Sequence, residues 1–247
     1  FLDVGRLDAD HRLRSSYSFS PETGRLSSSK NPKGGGSNGQ NIDREIRVIF
    51  VPDDDRIFIE LDLSQAEDRI VKVLAYCIAP RQELLDRARA MPWENDEHRR
   101  AAMAIFRVAN AAVTKDQRYI GKRGRHAGNY GLGGQGLADQ LIKAGYVYTP
   151  SQCADFIAAV IDRDTPEIRE WQKATRIEIL KRKRLVNDWE RVLDFTWDRM
   201  DDDTFRRAYA FIPQSSVPSI LNQYGMIPLH NAIRANKWRA NINVNGH

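Results

Sequence analysis

Apolar positions along the chain follow three patterns. From Ser64 to about Lys183 they recur every three or four residues, in AEDRIVKVLAYCI, DEHRRAAMAIFRVANAAV, SQCADFIAAVI and TPEIREWQKATRIEILKRKR. That spacing lines one face of an α-helix, so a long helical region, interrupted by breaks, is predicted there. Ahead of it, Ile46–Val51 and Arg56–Asp62 are short β-rich runs on either side of Pro52-Asp53-Asp54-Asp55, a turn-forming cluster, and predict a hairpin. The first forty residues are polar and turn-rich and lead into KNPKGGGSNGQN at 30–41, whose glycine-serine centre predicts a flexible loop. Beyond the helical region, VNDWERVLDFTW predicts a strand, DTFRRAYAFIPQSSVPSILNQYG mostly helix, and ANINVNG a closing strand. No internal repeat is visible. Strand-rich, helical and mixed stretches in that order describe an α+β fold with a helical insertion, not alternating βαβ units.

Composition sharpens this only a little. The chain has 247 residues, 41% of them hydrophobic, enough for one large core or two intimate ones. Charged residues make up 29%, and no run approaches the roughly 18 apolar residues of a membrane helix, so a soluble protein is expected. FLDVGRLDADHRLRSS has no basic stretch followed by an apolar one, so no secretory signal is expected. Cys77 and Cys153 fall in separate helical segments, which excludes a disulfide scaffold and a cysteine-based zinc site. His11, His98, His126, His230 and His247 show no paired metal-ligand spacing, which argues against zinc. A formal net charge of +5 admits a polyanionic partner without demonstrating one.

The position of the positive charge says more. In KDQRYIGKRGRHAGNY, residues 115–130, the cations Lys115, Arg118, Lys122, Arg123 and Arg125 face Asp116 alone. Arg118, Lys122, His126 and Tyr130 recur every four residues, which on a helix makes one slowly drifting stripe. Two fixed cations followed by two flat rings suit a ligand with a phosphate end and a base end. The competing reading is a solvated basic helix face. Gly121, Gly124 and Gly128 weigh against a strong helix, at about 1 kcal/mol each relative to alanine. The adjoining Gly131-Leu132-Gly133-Gly134-Gln135-Gly136 fits a dinucleotide-binding pattern, but GRHAGNY before it is no hydrophobic strand, so that reading is rejected.

A second constellation is Asp62-Leu63-Ser64-Gln65-Ala66-Glu67-Asp68-Arg69. A carboxylate at a strand end, beside exposed carbonyls, can bind a hard cation such as magnesium. Equally, Asp62 or Ser64 can simply cap the helix that follows. Asp53–Asp55 reads as a turn, Asp201–Asp203 as a helix start, and Lys181–Arg184 as a solvated helix end.

Taken in order, these pieces resemble family A DNA polymerases, the bacterial and phage replication and repair type. Thr23-Gly24-Arg25-Leu26-Ser27-Ser28, Asn31-Pro32 and Gln40-Asn41-Ile42 are similar to the family's TGRLSS…NPNLQNIP stretch. Asp62–Arg69 resembles its motif A, D-Y-S-Q-I-E-L-R; Arg118-x3-Lys122-x7-Tyr130-Gly131 reproduces its motif B; Arg206-x7-Gln214 resembles a later palm helix. The matches run from residue 12 to 247.

The resemblance implies a right-hand architecture, a split palm with antiparallel strands and a helical fingers insertion. Residues 1–70 would be the first palm part with a thumb-proximal segment, 71–184 the fingers, and 185–247 the second palm part. It implies template-directed transfer of deoxynucleotides from dNTPs to a primer 3′-hydroxyl with two magnesium ions, the metal held by Asp62 and the Leu63 carbonyl. Arg118 and Lys122 would clamp the triphosphate, with Lys122 able to protonate the leaving pyrophosphate. His126, Tyr130, Glu67 and Gln65 would complete the dNTP site, Tyr130 near the templating base and Glu67 where a ribose 2′-hydroxyl is excluded. Arg25, Gln40, Asn41, Arg206 and Gln214 would contact primer-template DNA, where most contacts position without reading sequence. A monomer in the cytoplasm is expected, a host cytoplasm if the source is a phage.

Departures from the family pattern stand out. His126 replaces the usual Phe or Tyr, Ala210 stands where asparagine is common, and residues 33–39 lengthen a loop. INVNGH resembles the strand leading into motif C, His-Asp-Glu, and His247 is the last residue. The expectation is therefore a fragment lacking the second metal carboxylate, inactive alone. Two alternatives stay open: a single-subunit RNA polymerase, against which Glu67 argues, and a non-catalytic nucleic-acid-binding module.

Overall fold

The helical periodicity of residues 64–183 is realised as a run of packed helices in a computed structural model. The structure describes residues 7–32, 35–36, 38–42 and 44–238, with only the backbone of Asn41 and Arg44. These residues form two units, one made of the segment up to Asp62 together with residues from Pro218 onward, the other of Leu63–Val217.

In the first unit, β1 (Ser16–Ser18) and β2 (Ser27–Ser29) pair antiparallel, with Tyr17 opposite Ser28. Gln40 braces β2: its Oε1 accepts from the Ser28 amide at 2.9 Å and its Nε2 donates to the carbonyl of Leu26, just before the strand, at 2.9 Å. Gln40 lies in a 3-10 turn, Gly39–Asn41, capped by the Asn38 side chain. Part of the loop predicted at 30–41 is thus an ordered turn, while Lys33, Gly34 and Ser37 lie outside the described residues.

The hairpin predicted over 46–62 does not form. Arg44–Ile49 is a 3-10 helix, and residues 50–62 hold no strand, only the turn closed by the Arg56 amide on the Asp53 carbonyl. Val48, Ile57, Phe58, Ile59 and Leu61 are exposed. Among the described residues no apolar surface covers these side chains, so burial does not add to their β propensity. Asp62 consequently ends no strand.

The second unit carries α1 (Ala66–Ile78), α2 (Gln82–Arg89), α3 (Glu97–Phe106), α4 (Lys115–Asn129), α5 (Gly134–Lys143), α6 (Pro150–Ala158) and α7 (Glu167–Arg182). Local chemistry sets several starts. Asp96 caps α3, and Thr114 with Gln117 and Thr149 with Gln152 form reciprocal capping boxes on α4 and α6. A π-helical turn, Ala159–Arg163, extends α6. After α7, β3 (Arg184–Val186) pairs antiparallel with β4 (Val192–Asp194), burying Leu185 and Leu193, so the single predicted strand becomes a hairpin. α8 (Asp202–Leu221) follows; its residues from Pro218 on belong to the first unit, as do a π-helical turn, Asn222–Met226, and α9 (Ile227–Ala235). The predicted closing strand ANINVNG lies outside the described residues.

The fold is thus mostly helical, with two antiparallel strand pairs among the described residues. The core of the second unit joins Val71 and Ile120 to Leu137, Ile161, Ile168 and Phe211. No helix among the described residues is long and apolar enough to cross a membrane.

The glycines of α4, expected to weaken it, instead let it pack. A Cβ at Gly121 would lie 2.4 Å from the His98 carbonyl oxygen and 2.7 Å from the Ala102 amide nitrogen, both backbone atoms of α3. The close approach offsets the propensity penalty. We therefore expect Gly121→Ala, nominally a better helix former, to destabilise the protein by about 1–3 kcal/mol, as overpacking does, in denaturant unfolding. A stabilised variant would show that α3 and α4 do not rely on this contact.

Candidate functional site

The segment entering α1 is shaped by one strained residue. Asp62 and Leu63 are exposed, and Gln65 adopts a left-handed conformation at φ 54° and ψ 33°. Non-glycine residues seldom sit there without support. Gln65 Oε1 accepts the Glu97 amide at 3.0 Å, while Arg69 donates to the Ser64 carbonyl at 3.0 Å and the Ala88 carbonyl at 2.6 Å. Gln65 is itself the N-cap residue of α1, with no side-chain capping bond, so neither Asp62 nor Ser64 caps the helix.

Along α4 the predicted stripe forms. Arg118 pairs with Asp96 at 2.7 Å, and Asp96 also accepts the His98 and Arg99 amides at the start of α3. Burial would raise the Asp96 carboxyl, but the Arg118 bond and the α3 amides hold it below its usual range. One turn on, Lys122 is exposed, and its ammonium makes no ion pair or hydrogen bond among the described residues. The His126 ring lies 6.0 Å from His98 and 6.1 Å from Tyr130. Burial lowers the pKa of His126, favouring the neutral ring. The Tyr130 hydroxyl meets the Glu67 carboxylate, joining the end of α4 to the first turn of α1. Gly131 follows at φ 71°, where a Cβ would come 2.9 Å from the Tyr209 ring and 4.0 Å from Arg206 Cγ. That position needs glycine on both counts.

The structure therefore brings Gln65, Glu67, Arg118, Lys122, His126 and Tyr130 together within the second unit. Arg206 of α8 lies beside Gly131 and pairs with Asp203. Gln214 is half-buried further along α8 with no hydrogen bond among the described residues. Asp62, Arg25, Gln40 and Asn41 belong to the first unit. Arg25 is half-buried, and the Asn41 side chain lies outside the described residues. Gln40 is buried with its amide engaged on Ser28 and Leu26, so its side chain holds β2. The Asp62 carboxylate and the Leu63 carbonyl are oxygen donors of the kind magnesium takes. They fit as part of a metal site and do not make one alone: no cluster of three His, Cys, Asp or Glu able to hold a metal occurs among the described residues. The glycine-rich decoy follows α4, not a strand, and Gly133 caps α5.

Sequence reading missed two features. His98 is 6% exposed, its Nδ1 has no hydrogen-bond partner among the described residues, and burial pushes its pKa down to about 4. Its buried, neutral ring beside His126 shows only once α3 is packed on α4. The second is an ionic cluster beneath the stripe. Arg87 donates to Glu97 at 2.9 and 2.6 Å and to Asp164 at 2.8 Å. Arg125 donates to Asp164 at 2.8 Å and to Thr165 at 2.7 Å. Lys72 lies 3.1 Å from Glu97 and pairs with Asp68, whose other oxygen accepts from Asn129 at 3.0 Å. Burial would raise all three carboxyls. The Arg87 bonds and the Lys72 charge instead bring Glu97 to about 2. Lys72 and Arg125 hold Asp68, and Arg87 and Arg125 hold Asp164, well below the usual range. The i, i+4 spacing of Asp68 and Lys72 was the only sequence signal for this cluster.

The sequence profile of DNA polymerase family A matches residues 6–247. DNA polymerase I of Aquifex aeolicus (strain VF5) is 29% identical over 158 residues, which cover 64% of this chain and 25% of that protein. Among solved structures, the POL domain of Pol1 from M. smegmatis, in complex with DNA primer-template and dNTP, matches with a TM-score of 0.73 at 25% identity. That match covers 95% of this chain and 40% of the solved one. The chain thus spans well under half the length of either relative.

The ionised cluster sets an acid limit. Asp68, Glu97 and Asp164 titrate lower folded than unfolded, so their stabilisation is complete above about pH 4 and is lost as pH falls toward about 2. His98, lowered from 6.5 to about 4, adds a smaller loss as pH falls between those values. Thermal unfolding should show a midpoint that is level above about pH 6.5, declines gently to about 4 and drops steeply below. A midpoint level down to pH 3 would contradict the ionised, paired carboxylates.

Proposed function

The chain belongs to DNA polymerase family A, and from that premise we propose that it carries the nucleotide-binding surface of a template-directed DNA polymerase. The observation that supports this best is the face of α4. Arg118, Lys122, His126 and Tyr130 follow one another along it, and Tyr130 is bonded to Glu67 of the motif A segment. In this reading residues 1–70 and 185–247 contribute to a split palm and 71–184 form the fingers.

Each side chain has a role that its surroundings suit. Lys122, exposed and without an ion pair among the described residues, is available to a triphosphate and to a proton on the leaving pyrophosphate. Arg118 would exchange Asp96 for a phosphate oxygen, an anion-for-anion swap that leaves its charge paired. His126, kept neutral by burial, would pack on the incoming base without adding charge. Tyr130 would stack near the templating base, and Glu67, oriented by Tyr130, would exclude a ribose 2′-hydroxyl. Gln65 would hold the turn that presents Asp62 and the Leu63 carbonyl to magnesium. Bound magnesium ions supply charge neutralisation at phosphate oxygens and a more acidic primer hydroxyl. Arg25, Asn41, Arg206 and Gln214 would touch the primer-template backbone and minor groove. Gln40 would act there through the strand it braces, β2.

Equilibrium binding of a dNTP to the protein on a primer-template tests this reading. Lys122→Ala should weaken dNTP affinity at least about tenfold, as loss of a charged hydrogen bond does, and leave primer-template affinity nearly unchanged. Glu67→Ala should narrow the gap between dNTP and ribonucleotide affinity by about tenfold or more. Equal binding of both sugars by the unaltered protein would favour an RNA polymerase. No nucleotide binding at all would favour a nucleic-acid-binding module.

A further inference from the structure

The first turn of α1 and the end of α4 are joined by two rungs formed from consecutive residues. Glu67 meets the Tyr130 hydroxyl, and Asp68 accepts from Asn129 Nδ2 at 3.0 Å. We propose that Asp68 and Asn129 are positioning residues that set the preference for deoxyribose over ribose, by fixing Tyr130 where it orients Glu67. This rests on the reading of Glu67 as the group that excludes the 2′-hydroxyl.

The surroundings of the inner rung carry the argument. Asp68 is 2% and Asn129 1% exposed, so the bond between them is shielded from water. Asp68 also meets Lys72 and lies 3.8 Å from Arg125 Nε, so Asn129 donates to a carboxylate held ionised, a stronger bond than one between neutral groups. Asn129 Oδ1, by contrast, is buried with no partner among the described residues. An unsatisfied buried carbonyl is costly, and a leucine of similar shape would avoid it. What the amide contributes is the Nδ2 bond across to α1. The motif A pattern given above, D-Y-S-Q-I-E-L-R, has leucine where this chain has Asp68, so the inner rung is not part of that pattern.

Backbone and side chains divide the work. Gln172 of α7 donates to the Gly128 and Asn129 carbonyls at 2.8 and 3.0 Å, pinning the last carbonyls of α4. Tyr130 is the C-cap residue beyond the helix, and Gly131 turns the chain away at φ 71°. The Asp68–Asn129 bond fixes the separation of α1 and α4 one residue before the Tyr130 ring departs. Without it the Tyr130 hydroxyl can move off Glu67, and the carboxylate no longer has one orientation toward the sugar.

Four proteins decide the matter: the unaltered chain, Glu67→Ala, Asn129→Leu and the double variant, each on a primer-template. Equilibrium affinities for a dNTP and the matching ribonucleotide are measured for all four. Asn129→Leu should lower the dNTP-to-ribonucleotide affinity ratio about tenfold, and by less than about twofold when added to Glu67→Ala, because it acts through that carboxylate. A merely structural role would lower the unfolding midpoint and weaken both nucleotides together, leaving the ratio intact; that result overturns the proposal. So does a ratio that falls by the same factor in both backgrounds. If Glu67→Ala leaves the ratio unchanged, the reading of Glu67 fails, and the inference fails with it. Asn129→Ser, too short to reach Asp68, repeats the test if the leucine variant does not fold.

Discussion

Inside the second unit, Lys72, Arg87 and Arg125 face Asp68, Glu97 and Asp164, and every cation lies within 4 Å of at least two of the carboxylates. Lys72 and Arg125 are fully buried. Such a cluster is not justified by stability alone, since well-packed apolar residues of similar volume often serve as well. Its strength is conditional. Removing one member leaves an uncompensated buried charge, at a cost of about 3–5 kcal/mol, so the helices that contribute members are held to one mutual arrangement. Those helices are α1, α2, α3 and α4, with Asp164 at the end of the π-helical turn.

This constraint reaches the site because the two sets of residues are neighbours in sequence. Asp68 follows Glu67, Glu97 precedes His98, Arg125 precedes His126 and Asn129 precedes Tyr130. Consecutive residues on a helix point about 100° apart, so one turns inward to the charges while the next faces the stripe. The buried cluster is a scaffold with the site as its outer layer. The strained Gln65 obeys the same logic, with its amide oxygen on the backbone N–H of Glu97, a member of the cluster. Orienting groups through a fixed, dry layer of charge keeps them in place without relying on solvent-exposed loops.

Much of this was legible in advance, for local reasons. AEDRIVKVLAYCI became α1 residue for residue, because helical periodicity is a near-neighbour effect. The four-residue spacing of Arg118, Lys122, His126 and Tyr130 placed them on one face for the same reason. Legibility failed where a partner distant in sequence decides. Ile46–Val51 and Arg56–Asp62 have strand composition, yet most of their apolar side chains are exposed among the described residues and they form no strand. Gly121 looked like a helix breaker and proved to be a packing requirement set by the α3 backbone. Gln40, legible as a nucleic-acid contact, spends its amide on the backbone of β2 and of Leu26 just before it.

By itself, then, the sequence determined the extent of α1, which side chains share the face of α4, and the motif order by which the chain belongs to its family. Each of these depends on contacts a few residues apart, and such contacts are written in spacing. Only the tertiary structure decided that Glu67 meets Tyr130, that Asp68 meets Asn129, and that six charges from five stretches of chain neutralise one another indoors. A lone charged residue in a sequence reads as surface, because burial without a partner is prohibitive. The partner that makes burial possible is supplied by folding, from up to 77 positions away in the case of Arg87 and Asp164.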